Sequence, residues 1–124
     1  MPQFITFGEI MMRMAPPGFL RLQQTLPGTL EVTFAGAEAN VAASLAMFGA
    51  DAGYVSALPD NPLADACLNT LRGLGIDTAH VHRSSEGRMG IYFVEAGANQ
   101  RPSRVTYDRA GSTISLTPPD SYDW

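Results

Sequence analysis

The stretch from Ala35 to Val81, AGAEANVAASLAMFGADAGYVSALPDNPLADACLNTLRGLGIDTAHV, decides the fold class. Within it Val41, Leu45 and Phe48 recur at spacings of four and three, and Ala42 and Ala46 widen the same face. Gly49 follows as a left-handed stop, so the pattern predicts a helix over Glu38 to Phe48. Gly53 to Leu58 then reads as a strand. Asn61 is placed to cap a second helix with Pro62 in its first turn, presenting Leu63, Cys67, Leu71 and Leu74 and ending near Gly73 or Gly75. Ala79 to Arg83 follows as a further short strand.

Outward from this segment, Phe4 to Phe7 is an apolar run ended by Gly8 and Glu9, a buried strand that Ile10 to Met14 is expected to continue. Strand, helix, strand, helix, strand in succession predicts an α/β fold with a parallel sheet and crossover helices. Pro16, Pro17 and Gly18 break regular structure, and Leu20 to Phe34 alternates weakly around a Pro27-Gly28 turn, which predicts irregular strands. Gly90 to Glu95 and Arg104 to Arg109 are two strand-like runs joined by Ala96 to Ser103, the pattern of a hairpin.

A hydrophobic fraction of 45% over 124 residues is enough for a packed domain. The net charge of -4, with eight scattered basic residues, makes nucleic acid and anionic membranes poor partners. All eight are arginines, so no Schiff-base lysine and no phosphate-loop lysine can act within this chain. The single cysteine, Cys67, cannot form an internal disulfide, and neither a signal sequence nor a membrane span is read, so a cytoplasmic location is expected.

Two constellations can carry chemistry. In Ala35 to Asn40, Gly36 would let a ligand approach the backbone at the start of the first long helix, and Asn40 can donate to and accept from a sugar hydroxyl. The same residues also fit a plain tight turn. In the second hairpin strand Val105, Tyr107 and Arg109 share one face and Thr106 and Asp108 the other. Arginine grips a carboxylate at two points and tyrosine adds a hydroxyl and a flat wall, a pairing suited to a sugar acid, with Tyr92 opposite. A solvated edge hairpin is the alternative. Glu9 ends the first strand where open α/β sheets place ligand contacts, or caps a loop. His80 and His82, two apart, would share a strand face, but no third metal ligand has suitable spacing. Gly111 to Thr113 reads as a loop turn, and Gly49-Ala50-Asp51 follows a helix instead of opening one.

Three segments together resemble one family: Phe7 to Gly18 (FGEIMMRMAPPG), Ala35 to Val81, and Met89 to Ser112 (MGIYFVEAGANQRPSRVTYDRAGS). They are similar to the first section of the ribokinase-like PfkB carbohydrate kinases, most of all those acting on 2-keto-3-deoxygluconate. The resemblance implies a three-layer α/β core, truncated here, with a small β-sheet lid from strands about 10–34 and 88–110. It places Gly36, Asn40, Tyr92, Tyr107 and Arg109 on the substrate, Arg109 holding its carboxylate. Ala35 and Ala64 stand where glycines are usual.

A family member continues into a further half with a GAGD-type segment, the catalytic aspartate and the nucleotide pocket. The resemblance therefore implies ATP and Mg2+ for the intact protein, with neither expected to bind this chain well, and no catalytic or metal residue within it. The expected whole is a kinase for a sugar acid, and this chain by itself an inactive, substrate-side piece with residues 1–124 forming one portion. A homo-oligomer through lid strands or an exposed core edge is expected. The alternatives are a non-catalytic dimerisation module and a piece of a kinase for a neutral sugar such as fructose.

Overall fold

A computed structural model describes residues 2–124. The first strand, β1 (Phe4–Phe7), pairs in parallel with β4 (Ala52–Val55) from Phe4 opposite Ala52 to Phe7 opposite Val55. Between them runs α2 (Ala37–Met47), packed on both strands. After Ser56 the chain continues as β5 (Ala57–Pro59), crosses through α3 (Pro62–Gly73) and returns as β6 (His82–Ser84), parallel to β5. Tyr54 N–H donates to Asp77 O at 3.0 Å and His82 N–H to Ser56 O at 2.8 Å, so three parallel segments lie side by side. This is the α/β pattern of strand and crossover helix that the sequence predicts.

The helix boundaries follow local chemistry. Asn61 Oδ1 accepts from Ala64 N–H at 2.9 Å, satisfying one free donor of the first turn of α3, and Pro62 needs no partner there. Gly49, at φ +85°, closes α2, with Ala50 N–H donating to Leu45 O. Ala64, Cys67, Leu68 and Leu71 of α3 pack with Ile10, Tyr54 and Leu58 into one core, while Leu74 lies past the helix and is exposed.

The face of α2 differs from the expected one. Val41 is 51% exposed and Phe48 89%, whereas Ala39 and Ala42 are buried and Ala43 and Ala46 pack beside them. The small side chains let the helix axis lie close to β1 and β4, and the large ones are left on the outer side. Apolar periodicity could not separate these faces because the helix is apolar nearly all round.

A second sheet stands apart from the first. Its order is β3 (Glu31–Ala35), β2 (Met11–Ala15), β7 (Ile91–Glu95), β8 (Arg104–Asp108); the β2·β7 pair is parallel and the outer pairs are antiparallel. The predicted hairpin is present as β7 and β8, from Ile91 opposite Asp108 to Glu95 opposite Arg104. Ile10 to Met14 does not continue β1. The chain leaves the parallel sheet at Gly8, whose N–H donates to Val55 O and whose carbonyl accepts from Tyr54 Oη at 2.6 Å, and Met11 begins a strand of the other sheet. Leu20 to Phe34 holds a four-residue helix, α1 (Leu22–Thr25), and a single strand, β3, instead of irregular strands; the α1 start is fixed by Glu95 Oε1, which accepts from Leu22 N–H at 2.9 Å.

Past β8, Ser112 and Thr113 are buried and tie the short α4 (Thr113–Leu116) to Arg88, where Thr113 N–H donates to Arg88 O at 2.8 Å. That contact gives Gly111 to Thr113 a structural role. His80 sits in a turn outside β6 and is exposed, so His80 and His82 do not share a strand face. Among the described residues no helix is long and apolar enough to cross a membrane.

Two outcomes follow from this packing. Replacing the cap in Asn61→Ala should lower unfolding free energy by about 1 kcal/mol in urea titration. Burial pushes the Cys67 thiol from its ordinary 9.0 up to about 12 and raises Tyr54 as well. Both stay protonated in the fold while the unfolded chain ionises, so the unfolding free energy should fall as pH rises from about 9 towards 12. A stability flat across that window would contradict their burial.

Candidate functional site

The register of the second sheet sorts its side chains. Met12, Met14, Phe34 and Ile91 turn towards the core, so Met11, Tyr92, Val105 and Tyr107 point to the other face. Tyr92 and Tyr107 are direct cross-strand partners with ring centroids 5.8 Å apart. Along this face lies an open cavity of about 390 Å³, lined by Met11, Ala35, Gly36, Ala37, Asn40, Tyr92, Val105 and Tyr107.

The start of α2 forms its other wall. Gly36 is the N-cap in extended conformation, and its carbonyl accepts from Asn40 N–H at 2.8 Å. The glycine is demanded by the chain's own backbone. A β-carbon there would collide with the carbonyl oxygen of Glu9 and lie 3.2 Å from Ile10 Cα. The free amides of the first turn and the exposed Asn40 side chain are therefore held against β2 by a backbone contact that no other residue permits.

Four of the five predicted ligand residues, Gly36, Asn40, Tyr92 and Tyr107, line this one cavity. The fifth, Arg109, stands at its margin, its guanidinium 5.7 Å from the centre of the Tyr107 ring. Arg109 Nη2 donates to Glu9 Oε1, an ion pair across 100 residues of chain. Glu9 thus pairs with Arg109, a contact that neither of its two expected readings, a ligand contact or a loop cap, contains. Sequence reasoning missed Met11 and Ala37; Met11 was hidden because Ile10 to Met14 was read as part of β1. On the opposite face of β8, Asp108 pairs with Arg88 at 2.6 Å, which holds its carboxyl below the usual carboxylate range and leaves it no free role in the cavity.

A somewhat larger cavity, about 420 Å³, opens on that opposite face between Arg21, Leu22, Gln23, Glu95, Arg104 and Thr106. Two of its polar side chains are tied to the fold. Glu95 fixes the start of α1, and Arg21 Nη2 donates to Pro102 O at 3.2 Å. The cavity beside Tyr107 combines free helix amides, an amide side chain, two aromatic rings and an adjacent cation, and is the better candidate. Among the described residues no group of three or more His, Cys, Asp or Glu side chains converges as a metal site.

The chain is 37% identical to a 2-dehydro-3-deoxygalactonokinase of Haloferax volcanii, over 95% of this chain and 36% of that protein. It is 32% identical to a 2-dehydro-3-deoxygluconokinase of Thermoproteus tenax, over 84% of this chain and 34% of that protein. The crystal structure of a 2-dehydro-3-deoxygluconokinase from Thermotoga maritima superposes with a TM-score of 0.93 at 51% identity, covering 98% of this chain and 36% of that one. The chain thus spans about a third of the length of these relatives. The family model for pfkB carbohydrate kinases matches residues 1–123, and the chain belongs to that family.

Proposed function

We propose that the whole protein phosphorylates a 2-keto-3-deoxy sugar acid, and that this chain supplies the acceptor side of the reaction. The observation that carries this reading is the cavity that brings Tyr92 and Tyr107 to the α2 start with Arg109 beside them. A planar guanidinium recognises a carboxylate in two places, which a neutral hexose lacks. The tyrosine rings offer an apolar wall and hydroxyls, and Gly36 and Asn40 sit at a helix start whose amides suit sugar oxygens. One similar protein is a 2-dehydro-3-deoxygalactonokinase and another a 2-dehydro-3-deoxygluconokinase, so the proposed class is the 2-keto-3-deoxyhexonates.

In this reading the four-stranded sheet β3-β2-β7-β8 serves as a lid over the sugar. ATP with Mg2+ is the phosphoryl donor proposed for the whole cytoplasmic enzyme. In this reading the donor side belongs to the part of the relatives that this chain does not span. Positioning donor, metal, base and acceptor together is what phosphoryl transfer requires. The chain alone should therefore release no ADP above background when given ATP, Mg2+ and the sugar acid.

Apolar surface supports self-association as a further part of the proposal. Phe4, Ile5 and Phe7 of β1 are 42% to 54% exposed, and Met47 and Phe48 at the end of α2 are more so. The unpaired side of β1 adds open backbone donors and acceptors. Dilution in analytical ultracentrifugation should shift the chain towards monomer; one concentration-independent monomer would remove this part.

The substrate reading has a direct test. Calorimetric titration with 2-keto-3-deoxygluconate should show binding that Arg109→Ala weakens about tenfold or more, the scale of a lost charge-assisted pair. Fructose should bind no better to the unaltered chain than to the variant. Equal affinity of both proteins for the acid would remove Arg109 from recognition.

A further inference from the structure

Glu9 sits where β1 gives way to β2, far in sequence from the residues it meets. Its side chain is only 13% exposed, while that of Arg109 is 49% exposed. Gly90, immediately before β7, makes room for the pair: a β-carbon there would lie 2.7 Å from Glu9 Oε2, 3.1 Å from Arg109 Cβ and 3.1 Å from Met11 Cγ. Met11 in turn lines the cavity beside Tyr107. The ion pair, the glycine gap and the cavity wall are thus one packed unit.

Stability alone does not account for this arrangement. An ion pair whose arginine is half exposed adds little to folding, and Glu9 Oε2 is buried without a hydrogen-bond donor among the described residues. What the pair does accomplish is orientation. Arg109 lies one residue beyond the β8 ladder, whose last pair is Ile91 with Asp108, so the ladder itself does not fix its side chain. Glu9 Oε1 holds one amino group, and the guanidinium rests by the Tyr107 ring. Among the described residues Nε and Nη1 of Arg109 make no hydrogen bond to protein.

We propose that Glu9 is a positioning residue for carboxylate recognition. By holding Nη2 of Arg109 across Gly90, it sets the guanidinium at the cavity mouth with its remaining N–H groups free for the carboxylate of a sugar acid. The benefit is entropic: a long side chain already ordered loses less freedom when the ligand arrives. This inference rests on the reading of the cavity as a sugar-acid site.

A double-mutant cycle tests it with the unaltered chain, Glu9→Ala, Arg109→Ala, the double variant and the conservative Glu9→Gln. The readout is the Kd for 2-keto-3-deoxygluconate, with urea midpoints recorded in parallel. Glu9→Ala should raise Kd about fivefold or more, and the double variant should be no weaker than Arg109→Ala alone. Glu9→Gln, which keeps the size and an acceptor oxygen, should fall between the unaltered chain and Glu9→Ala. Additive losses, or a Glu9→Ala loss that survives in the Arg109→Ala background, would show a merely structural role and overturn the proposal. Tighter binding by Glu9→Gln would show Glu9 competing with the ligand for Arg109, and would also overturn it. If Arg109→Ala itself binds the acid normally, or the unaltered chain does not bind it, the sugar-acid reading fails first and this inference falls with it.

Discussion

The backbone of Glu9 and Ile10 passes so close to Gly36 that no β-carbon fits between them, and the rest of the site depends on that contact. One side of it is the chain leaving the parallel sheet for the second one; the other is the cap of α2. Tyr54 reinforces it from the core, donating its hydroxyl to Gly8 O while its ring packs beside Ile10. Because the two backbones touch at this crossing, Glu9, Met11, Gly36 and Asn40 are brought into the same neighbourhood. A cavity wall built this way needs no long loop to position it.

The two sheets divide the work of the molecule. Strand β4 is fully buried at the centre of the parallel segments, with Ala39 and Ala42 drawing α2 close to it, while β1 beside it is exposed on its outer side. The four-stranded sheet uses its pleat to separate core from cavity: Met12, Met14, Phe34 and Ile91 on one side, Tyr92, Val105 and Tyr107 on the other. Slipping β8 by one residue against β7 would turn Val105 and Tyr107 to the core side and leave Tyr92 on the cavity side without its partner. The hairpin register is therefore as much a condition of the site as any residue in it.

Much of this was legible in the sequence, for reasons that can be named. Local signals carried α3, whose cap, first-turn proline and apolar stripe all agree, and the hairpin, whose two strand-like runs flank a segment with glycine, asparagine and proline. The α2 boundaries were legible from Gly36 and Gly49, but its buried face was not, since helix periodicity cannot rank alanines against Val41 and Phe48 when both sides are apolar. The switch of sheets at Gly8 to Ile10 was invisible because Phe4 to Phe7 and Ile10 to Met14 both read as strand and their pairing partners are non-local. Of the site, Gly36, Asn40, Tyr92 and Tyr107 could be grouped from motif and alternation. The Glu9 contact with Arg109 joins residues 100 apart and has no local signature.

The central claim is that the cavity between the α2 start and the tyrosine face, and not the one beneath β8, receives a sugar acid. The most direct measurement is an amide chemical-shift map of the chain titrated with 2-keto-3-deoxygluconate. The account predicts saturable shifts at Gly36, Ala37, Asn40, Tyr92 and Tyr107, with Arg21, Leu22 and Thr106 unmoved. Shifts gathered around Arg21, Glu95 and Arg104, or a well-dispersed spectrum that does not respond to the acid, would contradict it.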